Sequence, residues 1–418
     1  SRFPMGSSLA SQMGGAVFSR KAYTPAKDIE LIARCAGEGR LPGRHEQAAF
    51  LRAQTKLAPV LGKSALLAEV DKVKLLEFPP WPSLPLEFAD RASDVVDRMR
   101  GALFGAALGD ASGIATEFLS RERTTQFYGP RFVYCPGCKV FPDTHRMNFP
   151  RGDWTDDTDQ MLLVLQSILG SSGAADPPDF AKRLHKWVRQ GFPELGDKCG
   201  GGLGKTIGRV VTTPGFEEAP LTIAEQVWRD RGCDLAPNGA VMRTAVCGFP
   251  SFWDLDSVER LATKVCQVTH FDGRCVASCV CVSVAVACLL MGREAGEAER
   301  EAIARAAPYV EERHRDEFVW YTSPDRVLDD FKLDAPDSIG YTFKSLACGL
   351  FGLRSSDSFE DVVSNVVRRG GDADTNAVVC GALWGCARGY SNLPARWISG
   401  MPYATWLEAW ATKCTEAS

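Results

Sequence analysis

Gly101, Gly105, Gly109 and Gly113 recur at every fourth residue, and so do Gly381, Gly385 and Gly389. Four residues is close to one helical turn, so each set lines one face of a helix and leaves it nearly bare of side chains. Glycine in place of alanine weakens a helix by roughly 1 kcal/mol per residue. Repeating that cost along one face makes sense where a second backbone must approach closely, the small-xxx-small logic best known in membranes. The two stripes therefore predict a pair of helices in near-contact at the centre of a domain. In a chain with 39 glycines, chance is the competing account, and the cost per residue argues against it.

Helical periodicity runs through the segments 94–108, 159–169, 180–190, 257–268, 274–291, 297–305, 341–351, 359–368 and 375–388, and strand signals are weak. An all-α fold follows. The apolar run 275–291 is a little short for a membrane span, which needs about 20 residues. It contains Ser278 and Ser283, is bounded by Arg274 and Arg293, and reads as a helix buried in a large α domain.

Three zones divide the chain. Residues 1–26 are basic, Ser-rich and free of acids, and read as a disordered tail, with an organelle transit segment as the alternative. Residues 27–92 form an extension with helical patterns at 28–36 and 45–61 and a Pro-rich break at 79–85 that reads as a linker or surface strap. Residues 93–418 read as one continuous domain. The net charge of −4 gives no electrostatic reason to expect nucleic-acid or anionic-membrane binding. Fifteen cysteines, an odd number scattered through apolar segments, suit a reducing compartment, the cytoplasm, better than a disulfide framework. Cys135 and Cys138 form a lone CxxC; no second pair completes a zinc site, and it reads as an ordinary turn.

Two acidic clusters carry the chemistry. Asp153, Asp156, Asp157 and Asp159 crowd the start of an apolar helix, with Thr155 and Thr158 among them. One carboxylate there caps free N–H groups and meets the positive end of the helix dipole. Four exceed that need and repel one another unless a cation compensates. Alone, this cluster reads equally as a metal site or an acidic cap. The second cluster shifts the balance: Asp372, Asp374 and Thr375 follow Gly370 and Gly371 and precede another apolar helix. Carboxylate and hydroxyl oxygens are hard ligands suited to Mg²⁺, Mn²⁺ or Ca²⁺. Two such clusters can converge on a pair of cations that polarise a substrate oxygen and position a water.

With these residues in place the chain resembles the ADP-ribosylglycohydrolase family, from about residue 96 to 397. The motifs fall in family order: Gly105, Gly109 and Asp110 with Glu117; Thr155, Asp156, Asp157 and Thr158; Gly202, Gly204, Lys205 and Thr206; Asn238, Gly239, Met242 and Arg243; Thr269 and His270; and Gly371, Asp372, Asp374 and Thr375. The resemblance implies a compact, orthogonal multi-helix all-α domain with a central cleft holding two Mg²⁺ or Mn²⁺. By motif, Thr155, Asp156, Asp157, Asp372, Asp374 and Thr375 would be the ligands. Glu117 would be the acid/base, with Asp156, Asp157 and Asp374 also in the catalytic set. Gly202, Gly204, Lys205, Asn238, Gly239, Met242 and His270 would contact substrate.

The loop at Gly204, Lys205 and Thr206 looks like a phosphate-binding loop, but the first glycine of that pattern is replaced by Cys199, which disfavours an ATPase. Its N–H groups could still hold a diphosphate. Nitrogenase-regulating members of the family carry an aspartate in this loop where this chain has Gly202; Asp197 lies nearby, off the matching position. The expected reaction is hydrolysis at the anomeric carbon of the distal ribose. Metals would bind the ribose hydroxyls and a water, and Glu117 would handle the proton. The expected partner is an ADP-ribosylated protein or other ADP-ribose conjugate, and the chain is expected to act as a monomer. A non-catalytic ADP-ribose-binding or structural family member and a two-metal nucleotide phosphohydrolase are the competing readings.

Overall fold

The structure, a computed structural model, describes residues 62–417. The expectations for residues 1–26 and for helices at 28–36 and 45–61 lie outside the described residues. Within them the fold is helical, and the only β feature is an isolated bridge between Pro237 and Tyr341.

Sixteen α-helices are formed among the described residues. In chain order they are α1 (Lys63–Lys74), α2 (Ala92–Gly113), α3 (Arg121–Tyr128), α4 (Asp156–Gly170), α5 (Pro177–Gln190) and α6 (Lys205–Val211). Next come α7 (Pro220–Arg229), α8 (Leu255–Gln267), α9 (Gly273–Leu290), α10 (Ala295–Ala306) and α11 (Arg315–Thr322). The last are α12 (Thr342–Arg354), α13 (Phe359–Val367), α14 (Ala373–Arg388), α15 (Ala395–Ile398) and α16 (Ala404–Ala417). All nine helical patterns expected from residue 94 onward appear, with ends shifted by a few residues. Some of their starts carry side-chain caps: Asp176 accepts from the Asp179 N–H at 3.0 Å ahead of Pro177, and Ser358 accepts from the Asp361 N–H at 3.2 Å.

The glycine stripes meet. A β-carbon built on Gly105 would lie 2.1 Å from the Gly381 carbonyl oxygen, and one on Gly101 would lie 2.1 Å from that of Gly385. Gly109 abuts the Ala377 carbonyl, and Gly113 abuts the backbone of Asp374. The α2 and α14 backbones therefore touch at four successive glycines of α2, at a distance only glycine permits. On its other side α14 receives α12, where Gly352 approaches the Cys380 carbonyl and Gly349 the Val379 side chain. Helix α9 is buried from 274 to 290, packed by α8, α10, α12 and α14. It is long and apolar enough to cross a membrane by composition alone; its place here is the centre of the domain.

The described part of the extension lies along the domain. Leu66, Val70 and Val73 of α1 are buried where α1 packs on α16. The Pro-rich segment follows, with the Trp81 N–H bonded to the Ala417 carbonyl at 3.1 Å and Phe78 against Trp410. The described cysteines are all free thiols, most of them buried.

Candidate metal centre and active site

Asp110, on α2, sits where the two clusters meet. One of its oxygens accepts from the Thr155 N–H at 3.0 Å; the other accepts from the Thr158 N–H at 3.0 Å and the Thr158 hydroxyl at 2.7 Å. A residue of one helix thereby caps the start of another, α4. The Gly113–Asp374 contact fixes the start of α14 beside it. Carboxylate oxygens of Asp110, Asp157 and Asp374 lie within 4.8 Å of one another, and so do those of Glu117, Asp372 and Asp374. Asp374 belongs to both groups.

The electrostatics of this cluster are severe. Burial raises the carboxyls of Asp156, Asp157 and Asp374 well above their usual range, and the neighbouring negative charges raise them further. Asp372 is raised by burial and by Glu117. Asp110 is pushed up to about 6 by burial, despite its bonds to Thr158 and Thr155. The Asp157 Oδ1 atom is buried and has no hydrogen-bond partner, and such an atom calls for one. Oxygen-only donors, mutual repulsion and an orphaned carboxylate oxygen fit hard divalent cations.

The first cluster divides by role. Asp159 accepts from the indole N–H groups of Trp154 and Trp187, at 2.7 and 3.0 Å, and serves the core. Asp153 accepts from the Trp154 N–H. Thr155 donates to Asp157 at 3.1 Å. Asp156 lies outside both carboxylate groups; its Oδ2 accepts from Gln160 at 2.8 Å, and its Oδ1 faces Gly202, where a β-carbon would fall 2.4 Å away. The Thr375 side chain favours the ionised forms of Asp157 and Asp372, and its backbone N–H donates to Asp374 at 2.9 Å.

A buried relay links this centre to His270. Arg243, fully buried on the loop that holds Asn238, donates to the Gln160 carbonyl at 2.7 Å and to the Thr269 hydroxyl at 2.6 Å. Gln160 must then turn its amide toward Asp156. The Thr269 oxygen lies 2.7 Å from His270 Nδ1. Burial, with the Arg243 charge, pushes His270 down to about 3, so its ring is neutral. Arg243 can only donate, so the Thr269 proton is directed to Nδ1 and the ring proton sits on Nε2. That Nε2 is buried, without a partner, and close to the place where Gly239 would carry a β-carbon, 3.3 Å away. It is a donor awaiting an acceptor.

Asn238 donates to Asp372 at 3.1 Å and to Ser345 at 2.9 Å, and Ser345 donates to Asn376 at 2.8 Å. Met242 is buried in the short turn Val241–Arg243. Gly204 and Lys205 are exposed at the start of α6. Asp197 accepts from the Phe192 N–H at 3.0 Å and supports that turn.

Glu117 follows α2, where the chain turns away through Phe118 at a φ of 58°. Its side chain is buried and lies 2.5 Å from His145 Nε2. Burial alone would lower His145, but the bond to Glu117 and its charge outweigh it and raise the imidazole above its usual value. Arg146 donates to the carbonyls of Ala115, at 2.8 Å, and Glu117. Sequence reasoning had not singled out His145, Arg146, Gln160 or Ser345, and had given Asp110 and Arg243 no role of their own. Asp110 was signalled by its place in the glycine stripe. The others are single polar residues with no local pattern.

A family model described as ADP-ribosylglycohydrolase matches residues 91–418. The chain is 31% identical over 324 residues to an uncharacterized protein of Archaeoglobus fulgidus, covering 77% of this chain and 96% of that one. It is 26% identical to ADP-ribosylarginine hydrolase Tri1 of Serratia proteamaculans, over 73% of this chain and 75% of that one. It is 25% identical to ADP-ribosyl-[dinitrogen reductase] glycohydrolase of Rhodospirillum rubrum, over 73% of this chain and 90% of that one. A solved structure titled ADP-ribosylglycohydrolase-related protein complex aligns with a TM-score of 0.54 at 24% identity, covering 78% of this chain and 99% of that one, a likeness of fold.

Proposed function

The chain belongs to the ADP-ribosylglycohydrolase family and is a hydrolase of ADP-ribose conjugates, and on that premise we propose that it removes ADP-ribose from protein side chains with the help of two divalent cations, Mg²⁺ or Mn²⁺. The observation that carries the metal reading is the pair of carboxylate groups sharing Asp374. The proposed ligands are Thr155, Asp156, Asp157, Asp372, Asp374 and Thr375, with Asp110 within reach of the first group. Such cations supply Lewis acidity toward ribose hydroxyls and a water.

The chain's own groups do the rest. The His270 Nε2–H donates to an oxygen of the bound sugar, and Gly239 leaves room for it. Asn238 holds Asp372 in place. At C1″ of the distal ribose the bond to the protein side chain breaks, a water oxygen takes its place, and the departing group gains a proton. Glu117 moves that proton through its carboxylate, and His145 fixes the carboxylate's orientation.

The test is release of ADP-ribose from arginine- and serine-linked peptides, side by side, with Mg²⁺ or Mn²⁺ and with chelator. Release that needs metal, and that Glu117→Gln lowers by roughly 10²–10⁴-fold, supports the reading. A folded, metal-loaded sample that releases nothing from either peptide overturns it. Release of phosphate from ADP-ribose would point to a phosphohydrolase.

A further inference from the structure

Cys135, Pro136, Gly137 and Cys138 form a tight turn on the segment between α3 and α4. The Cys138 N–H bonds to the Cys135 carbonyl at 3.0 Å, and Gly137 adopts a φ of 76°. Proline second and a left-handed glycine third is the signature of a type II turn, whose first and fourth α-carbons lie less than about 7 Å apart. Disulfides span α-carbon separations of about 4.4–6.8 Å. The two thiols perturb one another, Cys138 favouring the thiolate of Cys135, and both line one cavity. Both residues are partly exposed, whereas most described cysteines are buried in the core.

We propose that Cys135 and Cys138 are a thiol–disulfide exchange site that takes small disulfides of the glutathione class, with Cys135 as the attacking sulfur and Cys138 as the resolving one. Cys135 is pushed down to about 6 by the Cys138 side chain, against burial, with Arg396 and Arg151 adding to the effect, while Cys138 is held up by the Cys135 side chain and by burial. A thiolate fraction is thus present at neutral pH on one sulfur alone. The Cys135 thiolate attacks one sulfur of oxidised glutathione, and one glutathione thiolate leaves. Cys138 then loses its proton and attacks the Cys135 sulfur of the mixed disulfide, expelling the second glutathione. The dithiol is oxidised by two electrons, and one glutathione disulfide is reduced to two thiols.

The site adjoins the proposed active centre. Both cysteines line a cavity of about 290 Å³ whose walls include Ile114 and Ala115 of the Glu117 segment and Arg146, and Arg146 grips the Glu117 carbonyl.

The experiment equilibrates the full chain in glutathione buffers from reducing to oxidising, quenches in acid, alkylates under denaturing conditions and maps peptides by mass. Trypsin would release residues 132–139 with both cysteines. The expected result is a reversible conversion of this peptide from dialkylated to a form two hydrogens lighter than the dithiol. In Cys138→Ser, glutathione should stay attached to Cys135; in Cys135→Ser, Cys138 should react at least tenfold more slowly. A peptide that stays dialkylated in the most oxidising buffer overturns the proposal, as does a wild-type peptide carrying only mixed disulfides. Neither readout depends on hydrolase activity or on the variants' stability, since the wild-type titration stands alone.

Discussion

Gly105→Ala probes the contact on which the site is built. The added β-carbon would lie 2.1 Å from the Gly381 carbonyl oxygen and 2.9 Å from its carbon, where ordinary contact begins near 3.4 Å. The obstacle is backbone, so no rotamer change relieves it, and α2 and α14 must part by roughly 1 Å. Overpacking of this kind costs about 1–3 kcal/mol or more, and the upper end applies to an unyielding neighbour. Alanine returns about 1 kcal/mol of helix propensity. The net expectation is a loss near 2 kcal/mol, roughly a thirtyfold fall in the folding constant. Gly296→Ala is the control, since its nearest neighbour is the mobile end of Arg300 at 3.5 Å; it should gain up to about 1 kcal/mol. Urea denaturation reads both. Parting the helices also moves Asp110 from Asp374, so calorimetric Mn²⁺ affinity should fall at least tenfold. A Gly105→Ala protein as stable as wild type, with unchanged Mn²⁺ binding, would refute the idea that backbone contact sets the site.

Asp374→Asn removes the carboxylate common to both groups. Stability of the metal-free protein should rise as the repulsion and burial that raise this carboxyl are relieved, while the gain on adding Mn²⁺ disappears; thermal melts with and without metal read both. Thr269→Val should weaken ADP-ribose binding by about tenfold and shift the His270 proton between ring nitrogens, which ¹⁵N spectra report. A wild-type ring protonated at Nδ1 would contradict the relay. Asp272 caps α9 and pairs with Arg274 at 2.9 Å; against the pull of burial, Arg274 and Trp228 hold it down at about 2 from an ordinary 3.8. Its stabilisation, about 2 kcal/mol, is present above pH 4 and lost as pH falls through 2. The stability gap to Asp272→Asn should therefore close across that window in acid titrations.

Periodic features were legible in the sequence, and solitary ones were not. The stripes at 101–113 and 381–389 announced a helix pair because their spacing matches the helical turn. The acidic clusters were legible because four aspartates exceed a cap's needs, although half of them turned out to serve indoles and backbone: Asp159 binds Trp154 and Trp187. Helix α16 was missed although Trp406, Trp410 and Cys414 recur on one face and are buried. Helix α3 was missed because its polar sequence buries only Thr124; it shows no apolar stripe to read. The relay through Gln160, Arg243 and Thr269 was invisible as a relay, because each contact joins residues brought together only by the fold.

Asp110 explains why fold and site resist separation. Its two oxygens take three hydrogen bonds from Thr155 and Thr158, which orders the start of α4 and sets the positions of Asp156 and Asp157. The same side chain lies within ligand distance of Asp157 and Asp374. A helix that carries Asp110 must run close enough to α14 for both relations to hold at once, and Gly109 and Gly113 on either side of it make that approach. A side chain at either glycine would meet the α14 backbone at 2.1–2.3 Å, so the smallest residue is needed within one turn of the carboxylate on both sides. The stripe is thus shaped by the electrostatic problem at its end: buried carboxylates must be brought near one another, and only a rigid backbone contact can hold them there before a cation compensates their charge.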